Sequence, residues 1–138
     1  MPERCKYDYA VIRVVPRVER EEFVNVGVIV SCDATDSLAA RIELDPERVL
    51  ALDPGADIAA IRAALGAIDA VCAGSAGAGA LAKLTPRERF HWLVAPRSAV
   101  IQTSPVHTGR TKVPGAVIEH LFETMVGAPR RAPPEGEN

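Results

Sequence analysis

Aromatic side chains are scarce in this 138-residue chain: one Trp, two Tyr and three Phe, 4% of the whole. A core has to be assembled from Val, Ile, Leu and Ala instead. The 48% hydrophobic and 25% charged content is nevertheless ordinary for a globular protein, and the length suits one domain that needs no staples. Cysteine is equally sparse. Cys5, Cys32 and Cys72 are an odd number without a CxxC pair, which excludes a zinc knuckle or a thioredoxin-like dithiol and predicts free thiols in a reducing compartment. No segment reaches the ~18 uninterrupted apolar residues of a membrane span. The polar start MPERCKYD lacks the apolar run of a secretory leader, so the expectation is a cytoplasmic protein with no membrane partner. Basic charge is not in excess either: 16 Lys and Arg stand against 18 Asp and Glu, a net charge of −2. That balance argues against a nucleic-acid partner, although it leaves room for a local basic patch.

The common catalytic signatures are also missing. There is no Walker loop, no GxGxxG, no HExxH and no GxSxG, which removes the commonest ATPases, dehydrogenases, zinc proteases and serine hydrolases. Three scattered histidines without paired spacing predict no metal site, and nothing in the chain signals a cofactor.

What is present reads as an α+β domain over residues 5–127, followed by a Pro-rich tail over 128–138 predicted to be disordered. Tyr7 to Val15 is β-rich, and Pro16 and a charged connection follow. Phe23 to Cys32 is a second strand, with Val24, Val26, Val28 and Val30 at a period of two. Together they predict a hairpin with one valine-rich core face. Its other face would carry Tyr9, Val11 and Arg13 beside Phe23, Asn25, Gly27 and Ile29, with Arg13 across from Asn25 and Val11 across from Gly27. A glycine inside a strand marks either a bulge or a close approach. Leu38, Ala40, Ile42 and Leu44 alternate in a third strand.

Asp45-Pro46 has the chemistry of a helix start, and Asp53-Pro54-Gly55 ends that helix. A longer one from Asp57 sets Ile58, Ile61, Leu65, Ile68 and Cys72 on one stripe. Ala73 to Ala80, AGSAGAGA, reads as a flexible connector. Thr85-Pro86-Arg87-Glu88 is a capping box that opens a helix through Phe90, Trp92 and Leu93. The last helix, Pro114 to Val126, presents Val117, Ile118, Leu121, Phe122 and Met125. The predicted order is β-β-β-α-α-α-β-α, a small, largely antiparallel sheet of about four strands with helices on one face. The valine face would pack against Ile58, Ile61, Phe90 and Trp92.

One stretch exceeds what packing and turns require. Arg97 to Arg110, RSAVIQTSPVHTGR, surrounds a short apolar run with Arg97, Ser98, Gln102, Thr103, Ser104, His107, Thr108 and Arg110. It reads as a short strand entering a loop punctuated by Pro105 and Gly109, and loops on a rigid scaffold are where binding groups gather. His107 is the candidate acid or base, since an imidazole works near pH 7; the alternative is a histidine that fixes the turn. Arg13, Arg97 and Arg110 have forks suited to carboxylate or phosphate. They would either bind an anion with help from Ser98, Ser104 and Thr108, or pair internally with Asp8, Glu22 or Glu43. Gln102 would satisfy loop backbone or face a ligand.

The segments YDYAVIRVVPRVEREEFVNVGVIV and FHWLVAPRSAVIQTSPVHTGR resemble the bacterial domain of unknown function three thousand and thirty-seven. The resemblance covers residues 7 to about 126. It brings no catalytic residues. Its motif positions fall here on Arg13, Phe23, Asn25, Gly27, Arg97, Ser98, Gln102, Ser104, Pro105, His107, Thr108 and Gly109. It implies a partnership with a HipA-like kinase-domain protein, beside which such proteins are often encoded. Three functional readings follow. In the first, the chain is a non-catalytic binding or accessory module that binds through Arg13, Asn25, Arg97, Ser98, Gln102, Ser104, His107, Thr108 and Arg110. In the second, it is a small enzyme for a phosphate-bearing or acyl substrate, with His107 as acid or base and Arg97 as anion clamp. In the third, the polar loop merely closes the fold.

Overall fold

A computed structural model describes residues 4–97 and 99–127. Ser98 and the tail 128–138 lie outside the described residues. The sheet begins with β1 (Cys5–Val14), β2 (Val24–Cys32) and β3 (Ser37–Ile42), an antiparallel meander. Three helices follow: α1 (Pro46–Leu52), α2 (Ile58–Ala73) and α3 (Pro86–Leu93). The chain then returns to the sheet as β4 (Ile101–Thr103) and β5 (His107–Thr111), and closes with α4 (Pro114–Met125). The strand order is β3-β2-β1-β4, and β5 also pairs with β1. This is a single α+β domain with a small antiparallel sheet. The expected order holds with one strand added.

Local chemistry sets the helix starts. Asp45 accepts from the Glu47 amide, with Pro46 at the first helical position. Asp57 accepts from Ala60 at the head of α2. Thr85 and Glu88 form the full reciprocal capping box of α3, which satisfies two otherwise orphaned amides. The connector expected to be flexible is instead a kinked 3-10 segment, Ala76–Lys83, broken at Gly79. Ala78 and Leu81 pack it against the core.

Two expectations about faces are corrected. The register skips one residue between Ile12↔Gly27 and Arg13↔Asn25, so Val26 is the extra residue of a β-bulge. Arg13 does face Asn25, but Val11 faces Val28 rather than Gly27. A bulge flips every later side chain to the other face. Val24 and Val26 therefore join Ile12, Val14 and Ile29 under α1, α2 and α3, whereas Val28 and Val30 join Val11 on the opposite side. Gly27 has no room for a side chain, because Ile12 on β1 and Arg41 and Ile42 on β3 close over it. A Cβ there would stand 2.8 Å from the Arg41 carbonyl oxygen and 3.1 Å from Ile12.

The second apolar surface made by the bulge needs its own cover. α4 supplies it with Val117, Leu121 and Phe122, so the helices lie on both faces rather than one. Trp92 is also placed differently: it is 43% exposed, and Phe90 and Leu93 fill the core beside it.

Candidate functional site

The polar stretch after α3 is largely an edge strand rather than a loop. β4 pairs with the second half of β1 (Arg13↔Gln102) and β5 with the first half (Tyr9↔His107). Between them the Ser104 amide donates to Val11 O at 2.8 Å. Pro105 and Val106 then oppose the single residue Ala10, which makes a second bulge.

Pro105 has no amide to give the ladder, and the Ser104 side chain mends the break. Its Oγ accepts from the Val11 amide at 2.8 Å and donates to Pro105 O at 2.9 Å. Ser104 is 4% exposed. It completes the sheet and is not presented to a ligand.

Thr108 is committed in the same way. Its hydroxyl donates to Asp8 Oδ1 at 2.6 Å, and the other oxygen of Asp8 pairs with Arg87 Nη2 at 2.8 Å. Arg87 Nη1 also donates to Ser31 Oγ at 3.1 Å. Burial pushes the Asp8 carboxyl up, but the hydrogen bonds from Thr108 and Arg87 and the charge of Arg87 outweigh it, so the group is held below its ordinary range. Register explains the cluster: Asp8 stands directly between Ser31 and Thr108 across three strands. Gly109 opposes Tyr7, and a Cβ at Gly109 would overlap the Tyr7 ring, which lies across the glycine.

Toward the other end of β1 the pattern differs. Asn25, Arg13 and Gln102 form a row across β2, β1 and β4. The Arg13 guanidinium lies over the Phe23 ring at 4.1 Å, and the Arg97 guanidinium over Trp92 at 4.2 Å. Both arginines line one shallow groove of about 650 Å³, together with Phe23, Gln102, Pro96 and Glu21. The carboxylates expected from the sequence to neutralise them are engaged elsewhere: Asp8 with Arg87, Glu22 with Arg20, and Glu43 with Arg41. Among the described residues neither Arg13 nor Arg97 has an ion-pair partner, and the buried Arg13 Nε and Asn25 Oδ1 have no hydrogen-bond partner. Glu21 stands on the rim in a left-handed conformation, with φ 60°.

The remaining polar groups of the row are partly spent. Asn25 Nδ2 donates to Met125 O at 3.0 Å and so caps α4. Gln102 Nε2 donates to Ala99 O at 2.8 Å, and Arg97 Nη2 to Trp92 O at 2.7 Å. These bonds hold both side chains in place. A guanidinium has five donors in a plane, so Arg97 keeps donors for another acceptor.

The family model described as Protein of unknown function (DUF3037) matches residues 9–126. The chain belongs to this family. No curated protein and no solved structure matches it. Most of the positions at which the chain resembled DUF3037 proteins fall into two groups. Gly27, Ser104, Pro105 and Thr108 serve the two bulges and the Asp8 cluster, and Gly109 makes room for the Tyr7 ring. Arg13, Phe23, Arg97 and Gln102 converge on the groove.

Two further candidates from the sequence, Arg110 and His107, stand apart from that groove. Arg110, on β5, faces Lys6 on β1 and is exposed. Ser98 lies outside the described residues. His107 faces Tyr9, with ring centroids 5.4 Å apart. Tyr9 and Arg13 are four residues apart on β1, so His107 stands roughly 13 Å along the strand from the Arg13 row. Phe23 and Trp92 were missed as site residues. The available signal was their spacing to an arginine, which only a cation–π reading would have used.

Proposed function

We propose that this chain is a non-catalytic binding module whose groove holds an anionic group of a protein partner. The observation that supports this reading is the pair of arginines. Each lies over an aromatic ring, neither is ion-paired among the described residues, and both open on one groove. Packing on a ring holds each guanidinium in place, and the donors not bonded within the fold are then available to a carboxylate or phosphate at a lower ordering cost. The HipA-like kinase-domain protein implied by the family resemblance is the partner to try first. No observation favours the acid–base alternative, because His107 is not among the groove residues.

The test is titration of the full chain with inorganic pyrophosphate and with the purified HipA-like protein. Arg13→Ala and Arg97→Ala should each lower affinity for both by about thirtyfold, the cost of removing an anchor worth roughly 2 kcal/mol. Unchanged affinity in both variants would defeat the reading. Glu21→Gln removes a rim carboxylate and should tighten pyrophosphate binding.

A further inference from the structure

The groove has a neighbour on the other side of the same strand. An apolar cleft of about 420 Å³ lies between α2 and β4, lined by Ala64, Ile68, Val71, Trp92, Val100 and Ile101. Arg97 lines both concavities. Among the described residues, three of the five large hydrophobic side chains left exposed, Phe23, Trp92 and Val100, flank this one edge of the sheet. Between the two concavities runs β4, the last strand in the order β3-β2-β1-β4.

The backbone of β4 is half used. The bonds Ser104 N to Val11 O and Val15 N to Val100 O fix which residues turn their amides toward β1. By the alternation of an antiparallel ladder, Arg13 and Gln102 are also a bonded pair. Ile101 and Thr103 therefore point their N–H and C=O groups outward. Among the described residues none of those four groups has a partner. Ile101 packs on the core side, while Gln102 lines the groove on the opposite face.

We infer that β4 is an acceptor for an extended segment of a partner protein in which apolar and acidic residues alternate. A strand laid against Ile101 and Thr103 would send alternate side chains to opposite faces. One set enters the cleft under Trp92 and Val100; the other meets Arg13 and Arg97. Charge complementarity selects acidic residues for the second set. This inference rests on the binding-module reading and adds to it the form of the partner: an extended strand rather than a helix or a free anion.

The probe is a fluorescein-labelled heptapeptide of alternating valine and glutamate, titrated against the full chain by anisotropy. A peptide of the same composition with its glutamates grouped together should bind at least tenfold more weakly. N-methylation of the amides along one edge of the peptide should cost at least tenfold, and methylation of the intervening amides little. Thr103→Pro removes an outward donor without touching the β1 ladder, and should also cost tenfold or more. Equal affinity for parent and N-methylated peptides overturns strand pairing, whatever the folding of Thr103→Pro. If pyrophosphate binds and the heptapeptide does not, the groove stands and the strand acceptor falls. If neither binds, both fall. Self-association that Thr103→Pro abolishes would assign the edge to a second copy and likewise overturn the inference.

Discussion

The two halves of the β1 edge are built from the same vocabulary of polar residues and put it to different uses. Where β5 pairs, Asp8, Thr108, Arg87 and Ser31 satisfy one another, and the arginine there meets a carboxylate at 2.8 Å. Where β4 pairs, Arg13 and Arg97 meet aromatic rings and no carboxylate among the described residues. Polar density therefore does not mark a site. What separates the two is whether hydrogen-bonding capacity is already consumed within the fold.

The contrast can be broken most severely at Arg87. Arg87→Met keeps the aliphatic stem and leaves the Asp8 carboxylate, which is 6% exposed, without its ion-pair partner and with the Thr108 hydroxyl still bonded; breaking the pair there should cost about 3 kcal/mol in urea unfolding. A loss below about 1 kcal/mol would show that the two halves are alike.

Ser104→Ala comes next. It leaves the Val11 amide without its acceptor, which should cost about 1–2 kcal/mol by the same measurement. Hydrogen exchange should locate the loosening at Val11.

A smaller effect is expected from acid. Folding holds Asp8 below its ordinary value, so the stability it confers is complete above the unfolded-state value of about 4. That stability is lost as pH falls through the lower folded-state value. Asp8→Asn should flatten the acid limb of the stability curve, whereas Arg97→Ala should leave its shape unchanged.

The smallest stability effects belong to the unpaired half and to its exposed neighbour. Arg97→Ala and His107→Ala should each shift Tm by no more than about 2 °C. Arg97→Ala should nevertheless cost pyrophosphate binding about thirtyfold, and His107→Ala should leave it intact. A loss of binding in His107→Ala would join the two halves into one site and sharpen the comparison in the opposite direction.

The sequence by itself determined the elements that depend on neighbours along the chain. Asp45-Pro46, Asp57 and the Thr85–Glu88 box start helices because a cap needs only two to four consecutive residues. The stripe of α2 and the alternation of β3 follow from period alone. Gly27 announced a bulge or a close approach, and the structure has both.

Only the tertiary structure decided which face each valine took. Alternation read through the second strand is continuous, and one extra residue at Val26 reverses everything after it. From that reversal follow the second apolar surface and the placing of α4 opposite the other helices. Pairing of charges was equally hidden, since Asp8 and Arg87 meet across 79 residues of sequence and Thr108 reaches Asp8 across 100. Arginine reads the same in sequence whether its partner is a carboxylate or a ring. Long-range register decides between them: strand pairing sets Asp8 between Ser31 and Thr108, and sets Arg13 between Asn25 and Gln102.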